Sequence, residues 1–308
     1  MMDEAPDVSI IIATYGRGPD LVEALRSVLA HESAHTFEVV VVDQTDDHPA
    51  PIRTSLKQLL IDERLRYIRA GPPSLPGARN LGVAIARAAL LVFIDDDVLL
   101  DEGFLDGHVV GHQIGDAVAG VGGRTRTQDD RSTDHLFTLD RWGRNSGEFD
   151  YPHAGWLVTA RGCNMSYKRA WLNRVGGFDT RFTGNAYREE SDLCLRLGRA
   201  GGRIRYEPAA SLLHLEGQAG GCRESSAIHD RALAYQNETL FFLKNWSKWA
   251  LPPLLIVNFF SYVVTRYTRR QGLIPRRLAA WAKGVAAGIA QYRSSNRLVC
   301  TRLGEGLR

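Results

Sequence analysis

The chain has 308 residues, 44% apolar and 24% charged, with 30 Gly and 12 Pro. That is enough for one large or two small domains, and it excludes collagenous, low-complexity or mainly disordered structure. The formal charge of +3 hides two parts of opposite sign: from Phe241 onward twelve Lys and Arg meet one acid, Glu305, whereas 26 bases and 34 acids precede them.

Val8–Thr14 (VSIIIAT) is an unbroken apolar, β-branched run, the pattern of a strand buried on both faces. Asp20–Leu29 follows as a helix with Leu21, Ala24, Leu25 and Val28 on one face. Phe37–Val42 is a second buried strand ending at Asp43, Ile52–Ile61 reads as a helix and Leu65–Ile68 as a short strand. The small-residue stretch Gly77–Ala89 predicts a helix, Leu90–Ile94 a strand running into three aspartates, Phe104–Ile114 a helix and Val118–Val121 a strand. Gly122–Tyr151 is polar and rich in Arg and Asp, which predicts a loop or irregular insertion. Trp156–Ala160 and Cys163–Tyr167 then read as short strands, Glu190–Ala200 as a helix stopped by Gly201-Gly202, and Ile204–Tyr206 and Ser211–His214 as strands. From Arg231 the chain turns helical and basic, and it includes the apolar run Leu251–Val264.

Alternating strands and helices predict a mostly parallel α/β sheet covered by helices. Ligands of such sheets gather beyond the carboxyl ends of the strands. Three of those ends carry polar groups: Thr14-Tyr15, Asp43 and Asp95-Asp96-Asp97.

Each cluster admits a structural and a chemical reading. Three adjacent carboxylates repel one another. A divalent cation would neutralise Asp95, Asp96 and Asp97 and hold phosphate oxygens beside them, and a solvated acidic turn before Leu99 would also accommodate them. Arg188-Glu189-Glu190-Ser191-Asp192 opens a predicted helix, where the macrodipole favours acids and where one carboxylate could equally act as a general base toward an alcohol. His214 is either a metal ligand or a partly buried imidazole. His108 and His112 have i,i+4 spacing with Val109 where a zinc protease needs glutamate, so they are expected on a polar helix face. Gly16-Arg17-Gly18 follows a strand, but Pro19 and Leu21 depart from a dinucleotide fingerprint. Cys163, Cys194, Cys222 and Cys300 show no paired spacing, which argues against a zinc ribbon or disulfide scaffold and predicts reduced thiols in a cytoplasmic setting. The acidic start Met1–Pro6 does not resemble a signal peptide.

In this order the motifs resemble glycosyltransferase family 2, and the resemblance covers Val8 to about His214. VSIIIATYGR (Val8–Arg17) looks like the family's opening nucleotide-binding strand and turn, which brings Thr14, Tyr15 and Arg17 to the donor. VVVDQTDD (Val40–Asp47) matches the second strand, whose Asp43 would hydrogen-bond the base. PGARNLGVAIA (Pro76–Ala86) resembles the segment with Arg79 and Asn80 near the nucleotide and diphosphate. FIDDDV (Phe93–Val98) matches the DxD element. GCNMSYKRA (Gly162–Ala170) and GGFDTRF (Gly176–Phe182) resemble the acceptor-side strand and turn, with Asn164 on that side. REESDLCLRLGRAG (Arg188–Gly201) matches the ED-x-D-L-x-x-R helix, with Glu190 in place of the usual aspartate, and PAASLLH (Pro208–His214) resembles the strand that closes on a metal-binding histidine.

The resemblance implies a GT-A (Rossmann-like) fold: a nucleotide-binding half over about residues 1–122, an acceptor half over 123–225 and a helical appendage over 226–308. It implies inverting transfer of a sugar from a nucleotide-diphosphate sugar to a glycan or lipid-linked hydroxyl, in polysaccharide or cell-envelope glycan synthesis. Mg²⁺ or Mn²⁺ would sit on Asp97 with Asp95 and His214, while Asp95 and Asp96 also border the donor. Glu190 would be the base, with Glu189 and Asp192 as competitors. Trp156 is the acceptor-side residue for stacking on a sugar ring, a core role being its alternative, and the loops Gly122–Tyr151 and Phe182–Arg188 are expected to carry the side chains that read the sugar.

Leu251–Val264 falls short of the ~20 residues of a membrane span. Arg266, Arg269, Arg270, Arg276 and Arg277 follow it, with Arg293, Arg297 and Arg302 later. They read either as an amphipathic basic segment touching the inner, anionic face of a membrane or as helices packed on the body with a solvated basic face. The acidic body argues against a nucleic-acid partner. A nucleotidyltransferase would share strand-end carboxylates, but a Gly-rich, Lys-bearing signature is not evident near Val8–Thr14. A sugar-binding scaffold with a relic site is the non-enzymatic alternative.

Overall fold

The computed structural model describes residues 4–129, 133–217, 227–264 and 274–294. β-branched runs become buried strands and amphipathic segments become the helices that cover them: β1 (Val8–Thr14), α1 (Pro19–Leu29), β2 (Phe37–Asp43), α2 (Ala50–Leu59), β3 (Leu65–Arg69), α3 (Leu75–Ile85) and β4 (Leu90–Ile94). The body continues with β5 (Val98–Leu100), α4 (Phe104–Gln113), β6 (Val118–Thr127), the hairpin β7 (Thr138–Leu139) and β8 (Asn145–Ser146), and β9 (Gly155–Leu157). It closes with β10 (Asn164–Lys168), α5 (Arg169–Val175), α6 (Glu189–Arg199) and β11 (Arg203–His214). One sheet runs in the order β3-β2-β1-β4-β10-β6-β11-β5, with β9 beside β11. β1 to β4, β6 and β11 share a direction that β5, β9 and β10 oppose. The winding reverses between β1 and β4, and a crevice opens at that switch point.

Strand period 2 splits the core. Ile11, Val40, Val42, Leu91 and Phe93 meet α3, α5 and α6 on one side, through residues such as Val83, Leu172 and Leu193. Ile10, Ile12, Val39, Val41, Val92 and Ile94 meet α1, α2 and α4 on the other. Each such fully buried aliphatic side chain contributes about 1.5–3 kcal/mol, so register is fixed on both faces.

Several elements depart from the sequence-based expectation. β6 runs on to Thr127, into the stretch expected as a loop, because its end pairs with β11 (Leu212 with Thr125, His214 with Thr127). β11 is one strand where two are expected, and its register slips between Glu207 and Leu212, around Pro208, which has no N–H for the ladder. α3 starts early, with the Ser74 hydroxyl accepting from the Gly77 N–H at 3.2 Å, and ends at Ile85. Arg87 and Ala88, expected in that helix, instead give their N–H groups to Glu38 (2.5 Å) and Ser9 (3.0 Å). β9 stops at Leu157 rather than Ala160.

His108 and His112 do not form a polar face; both are buried. Asn164 Nδ2 donates to the carbonyls of Arg124 (2.8 Å) and Ala210 (2.9 Å), so its Oδ1 accepts from His108 Nε2 at 3.0 Å. His108 Nδ1 then accepts from the Ser166 hydroxyl (2.9 Å), and Ser166 accepts from His112 Nε2 (2.9 Å). Both rings are thus neutral, and burial holds their pKa values down to about 4 and about 3.

The C-terminal part comprises α7 (Ala227–Asn245), a 3-10 turn (Lys248–Ala250), α8 (Leu251–Asn258), a π-helical turn (Phe259–Val263) and α9 (Ile274–Ser294). α9 lies against α7 so closely that a Cβ on Gly284 would stand 2.5 Å from the Ala232 carbonyl oxygen, and one on Gly288 2.6 Å from that of Gln236. Leu240, Phe241 and Phe242 of α7 pack with Phe182, Ala186 and Leu254. Arg188, fully buried and at φ 74°, donates to Asn145 Oδ1 (2.7 Å), the Gly143 carbonyl (2.8 Å) and Glu238 of α7 (2.9 Å). Among the described residues no helix is long and apolar enough to cross a membrane. Cys222, Cys300, Arg266, Arg269, Arg270, Arg297 and Arg302 lie outside the described residues.

Candidate active site

Where β1 and β4 part, a cleft of about 540 Å³ opens beyond their carboxyl ends. It brings together Thr14, Tyr15 and Arg17 after β1, Asp95, Asp96 and Asp97 after β4, and His214 at the end of β11. Ala13, Gln44, Pro73, Ser74, Leu75, Gly184 and Asn185 complete the wall and are not singled out from the sequence. Gln44, next to Asp43 at a strand end, carried a positional signal; Asn185 sits in the 182–188 loop, whose course periodicity does not reveal.

The three aspartates differ in their surroundings. Asp95 is half-buried and accepts from Arg79 at 3.3 Å. Asp96 is buried, accepts from Thr14 Oγ1 at 2.6 Å and faces Arg17 at 3.3 Å. Burial outweighs Arg17 and Thr14 and pushes its carboxyl up to about 7. At Asp97 burial also opposes the charge, but His214 and Arg17 outweigh it and hold the carboxyl well below the usual range. Register explains why His214 is there: β11 pairs antiparallel with β5, His214 lies opposite Val98, and its Nε2 comes 3.1 Å from Asp97 Oδ1. Asp97 Oδ2 also accepts the Gly217 N–H at 2.9 Å and pairs with Arg17.

Behind Asp95 stands the start of α6. Arg79, itself buried, bridges Asp95 to Glu189. Asp192 is engaged on both oxygens, by Arg196 (2.8 Å), Lys244 (2.7 Å) and Asn245 (3.0 Å). Among the described residues, Glu190 has no ion-pair partner of this kind. Burial, against the opposing pull of Arg79 and Arg188, raises its carboxyl above the usual range, and the negative charge of Asp95 adds to the rise. Of Glu190 and Asp192, burial raises the first while the cations around the second hold it low.

Other expected site residues stand elsewhere. Asp43 is buried at the end of β2 and accepts from Thr45 N (2.7 Å), His48 (2.5 Å) and the Tyr67 hydroxyl, bonds that outweigh burial and lower its pKa. Asn80 exchanges two hydrogen bonds with the backbone of Phe178 (2.8 and 2.9 Å), pinning the turn after α5. Asn164 is buried in the histidine chain described above. Trp156 is 41% exposed, with the Arg203 guanidinium 3.5 Å over its ring, and borders a shallower depression beside α6 that shares no residue with the cleft.

The cleft residues fit a divalent cation. Asp95, Cys163 and His214 offer ligand atoms within 4.8 Å of one another, and Asp97 adjoins His214. His214 Nδ1 is buried without a partner, and carboxylates beside an imidazole suit a hard or borderline ion.

Comparison with known proteins gives the family and the fold. The family described as "Glycosyl transferase family 2" matches residues 9–176. The chain is 36% identical over 97 residues to the succinoglycan biosynthesis protein ExoO of Rhizobium meliloti (strain 1021), covering 31% of this chain and 27% of that protein. It is 33% identical over 100 residues to the N-acetylglucosaminyl-diphospho-decaprenol L-rhamnosyltransferase of Mycobacterium tuberculosis (strain ATCC 25618 / H37Rv), covering 32% of this chain and 30% of that one. These matches thus span less than a third of either relative's length. Among solved structures, the mannosyltransferase PcManGT of Pyrobaculum calidifontis, in complex with GDP-Man and Mn²⁺, superposes with a TM-score of 0.58 at 18% identity, over 92% of this chain and 76% of that one. The last likeness is one of fold, the GT-A arrangement.

Proposed function

The chain belongs to glycosyl transferase family 2, and from that premise we propose that it transfers a sugar, with inversion, from a nucleotide-diphosphate sugar to a hydroxyl of a glycan or lipid-linked acceptor in cell-envelope polysaccharide synthesis. The observation that carries this reading is the meeting of Asp95, Asp96, Asp97 and His214 in one cleft, with Arg79 tying Asp95 to Glu189 at the acidic start of α6. The names of the relatives, one a succinoglycan biosynthesis protein and one a rhamnosyltransferase of a decaprenyl-linked sugar, support the acceptor class.

Thr14, Tyr15 and Gln44 border the nucleotide, and Arg17 offers the diphosphate a positive charge. Asp43, Arg79 and Asn80 act from behind the wall by holding it in shape. Asp97 and His214, with Asp95, would hold Mg²⁺ or Mn²⁺, which when bound offsets the charge of the departing diphosphate. Glu190 takes the proton of the acceptor hydroxyl from the face opposite the leaving group, so one displacement inverts the anomeric carbon. Arg79 neutralises Glu189 and leaves Glu190 as the base. The acceptor approaches beside the 182–188 loop, against which α8 packs through Leu254, and Trp249, Ile256 and Phe260 are exposed on that C-terminal part. Those side chains and the basic residues of α9 support peripheral contact with the inner face of an anionic membrane.

A panel of nucleotide sugars with Mn²⁺, assayed for nucleoside diphosphate release and product anomer, tests the reading. We expect one nucleotide class to be turned over with inversion. D97N should lose turnover and cation-dependent donor binding, and E190Q should bind donor but lose transfer by about 10²-fold or more. Full turnover in D97N, or pyrophosphate as the product, would refute it.

A further inference from the structure

Cys163 is a buried thiol at the cleft that the reaction above does not use. It stands one residue before β10, is 2% exposed, and its Sγ lies within 4.8 Å of both an Asp95 carboxylate oxygen and a His214 ring nitrogen. Mg²⁺ and Mn²⁺ favour oxygen ligands and gain little from a thiol. A carboxylate, a thiolate and an imidazole at the corners of a small triangle suit Zn²⁺, which commonly takes three protein ligands and leaves the fourth position to water. With ordinary zinc–ligand lengths, tetrahedral edges are about 3.3–3.7 Å, so the triangle needs to contract by roughly 1 Å. His214 supplies a further pointer: Nε2 faces Asp97, while Nδ1 is buried and unpartnered. Burial pushes the free thiol up to about 12, so without a metal Cys163 is an inert thiol.

We propose that Asp95, Cys163 and His214 form a thiophilic cation site that takes Zn²⁺, Co²⁺ or Cd²⁺ and overlaps the position of the hard divalent ion. As the metal–sulfur bond forms, the thiol proton leaves to solvent and no oxidation state changes. Asp95 and His214 cannot serve both ions, so Zn²⁺ holds the cleft in an inhibited form. That inhibition rests on the sugar-transfer reading; the binding itself does not.

The test uses the full chain, reduced with a phosphine, stripped of metal and titrated with Co²⁺. We expect one Co²⁺ per chain with a sulfur-to-cobalt charge-transfer band in the near ultraviolet, erased by Zn²⁺, absent from C163S and retained in C222S/C300S. Zn²⁺ affinity, read by competition with a chromophoric chelator, should fall about tenfold or more in C163S while Mn²⁺ binding by electron paramagnetic resonance holds. C163A replaces the serine variant if a buried hydroxyl lowers the melting temperature. Absence of the band in the parent chain, or a band that survives loss of the Cys163 sulfur, overturns the site whether or not any sugar is transferred. Equal Zn²⁺ inhibition of the parent and C163S would overturn the inhibitory role.

Discussion

Asp96 and Asp97 are adjacent in the chain, yet one carboxyl is pushed up to about 7 and the other held well below the usual range. The run of three aspartates is plain in the sequence. Their division is not, because His214 reaches Asp97 only through a strand pairing 117 residues away. The acids at the start of α6 show the same limit: all three are legible as a cluster, but only folding brings Lys244 and Asn245 to Asp192 and Arg79 to Glu189. His108 and His112 carry a stability prediction. Unfolded, each titrates near 6.5; folded, only at about 4 and about 3. Between those values the unfolded chain binds more protons, so their contribution is complete above about 6.5 and is lost as pH falls. At pH 5 the loss is roughly 2 kcal/mol for each ring. Asp96 works in the opposite direction, its raised carboxyl favouring the fold below about 7. H112Q therefore isolates the imidazole term: its denaturation midpoint should change less between pH 7 and pH 5 than that of the parent, and an unchanged difference would refute the assignment.

At the scale of elements, β1, β2 and β4 are readable because burial on both faces demands an unbroken apolar run. β5 and the far half of β6 are not, since a three-residue strand and a glycine-, arginine- and threonine-rich one exist only by virtue of the β11 edge they pair with. The pairing of α7 with α9 is equally invisible to periodicity, and it rests on the backbone approach at Gly284 and Gly288. G284L should lower stability by about 1–3 kcal/mol by forcing the helices apart. G198A, in α6, where an added Cβ meets no neighbour, should raise it by about 0.5–1 kcal/mol. Chemical denaturation of the two variants checks the pair, and a neutral G284L would show that the close approach is dispensable.

For the whole molecule, the C-terminal part leaves apolar and basic side chains exposed on neighbouring helices. α8 (LPPLLIVN) is apolar on every side, yet only Leu254 and Asn258 are buried, and Trp249 just before it is 93% exposed. An apolar helix half in solvent, with exposed Arg276, Lys283 and Arg293 on the neighbouring α9, supports the proposed contact with an anionic bilayer. Co-sedimentation with phosphatidylglycerol vesicles should fall as salt rises and fall several-fold in W249S/F260S, while neutral vesicles retain little protein; binding indifferent to lipid charge would argue for a packed, solvated face instead. Whether those helices are a detachable anchor is answered by Arg188. Its carboxylate partner, Glu238, belongs to α7, so a catalyst trimmed at residue 226 would deprive a buried guanidinium of that counter-charge at the very turn that launches α6. Such a fragment would lose activity through the misplaced start of α6. In this protein, the appendage supplies part of the frame on which the catalyst is built.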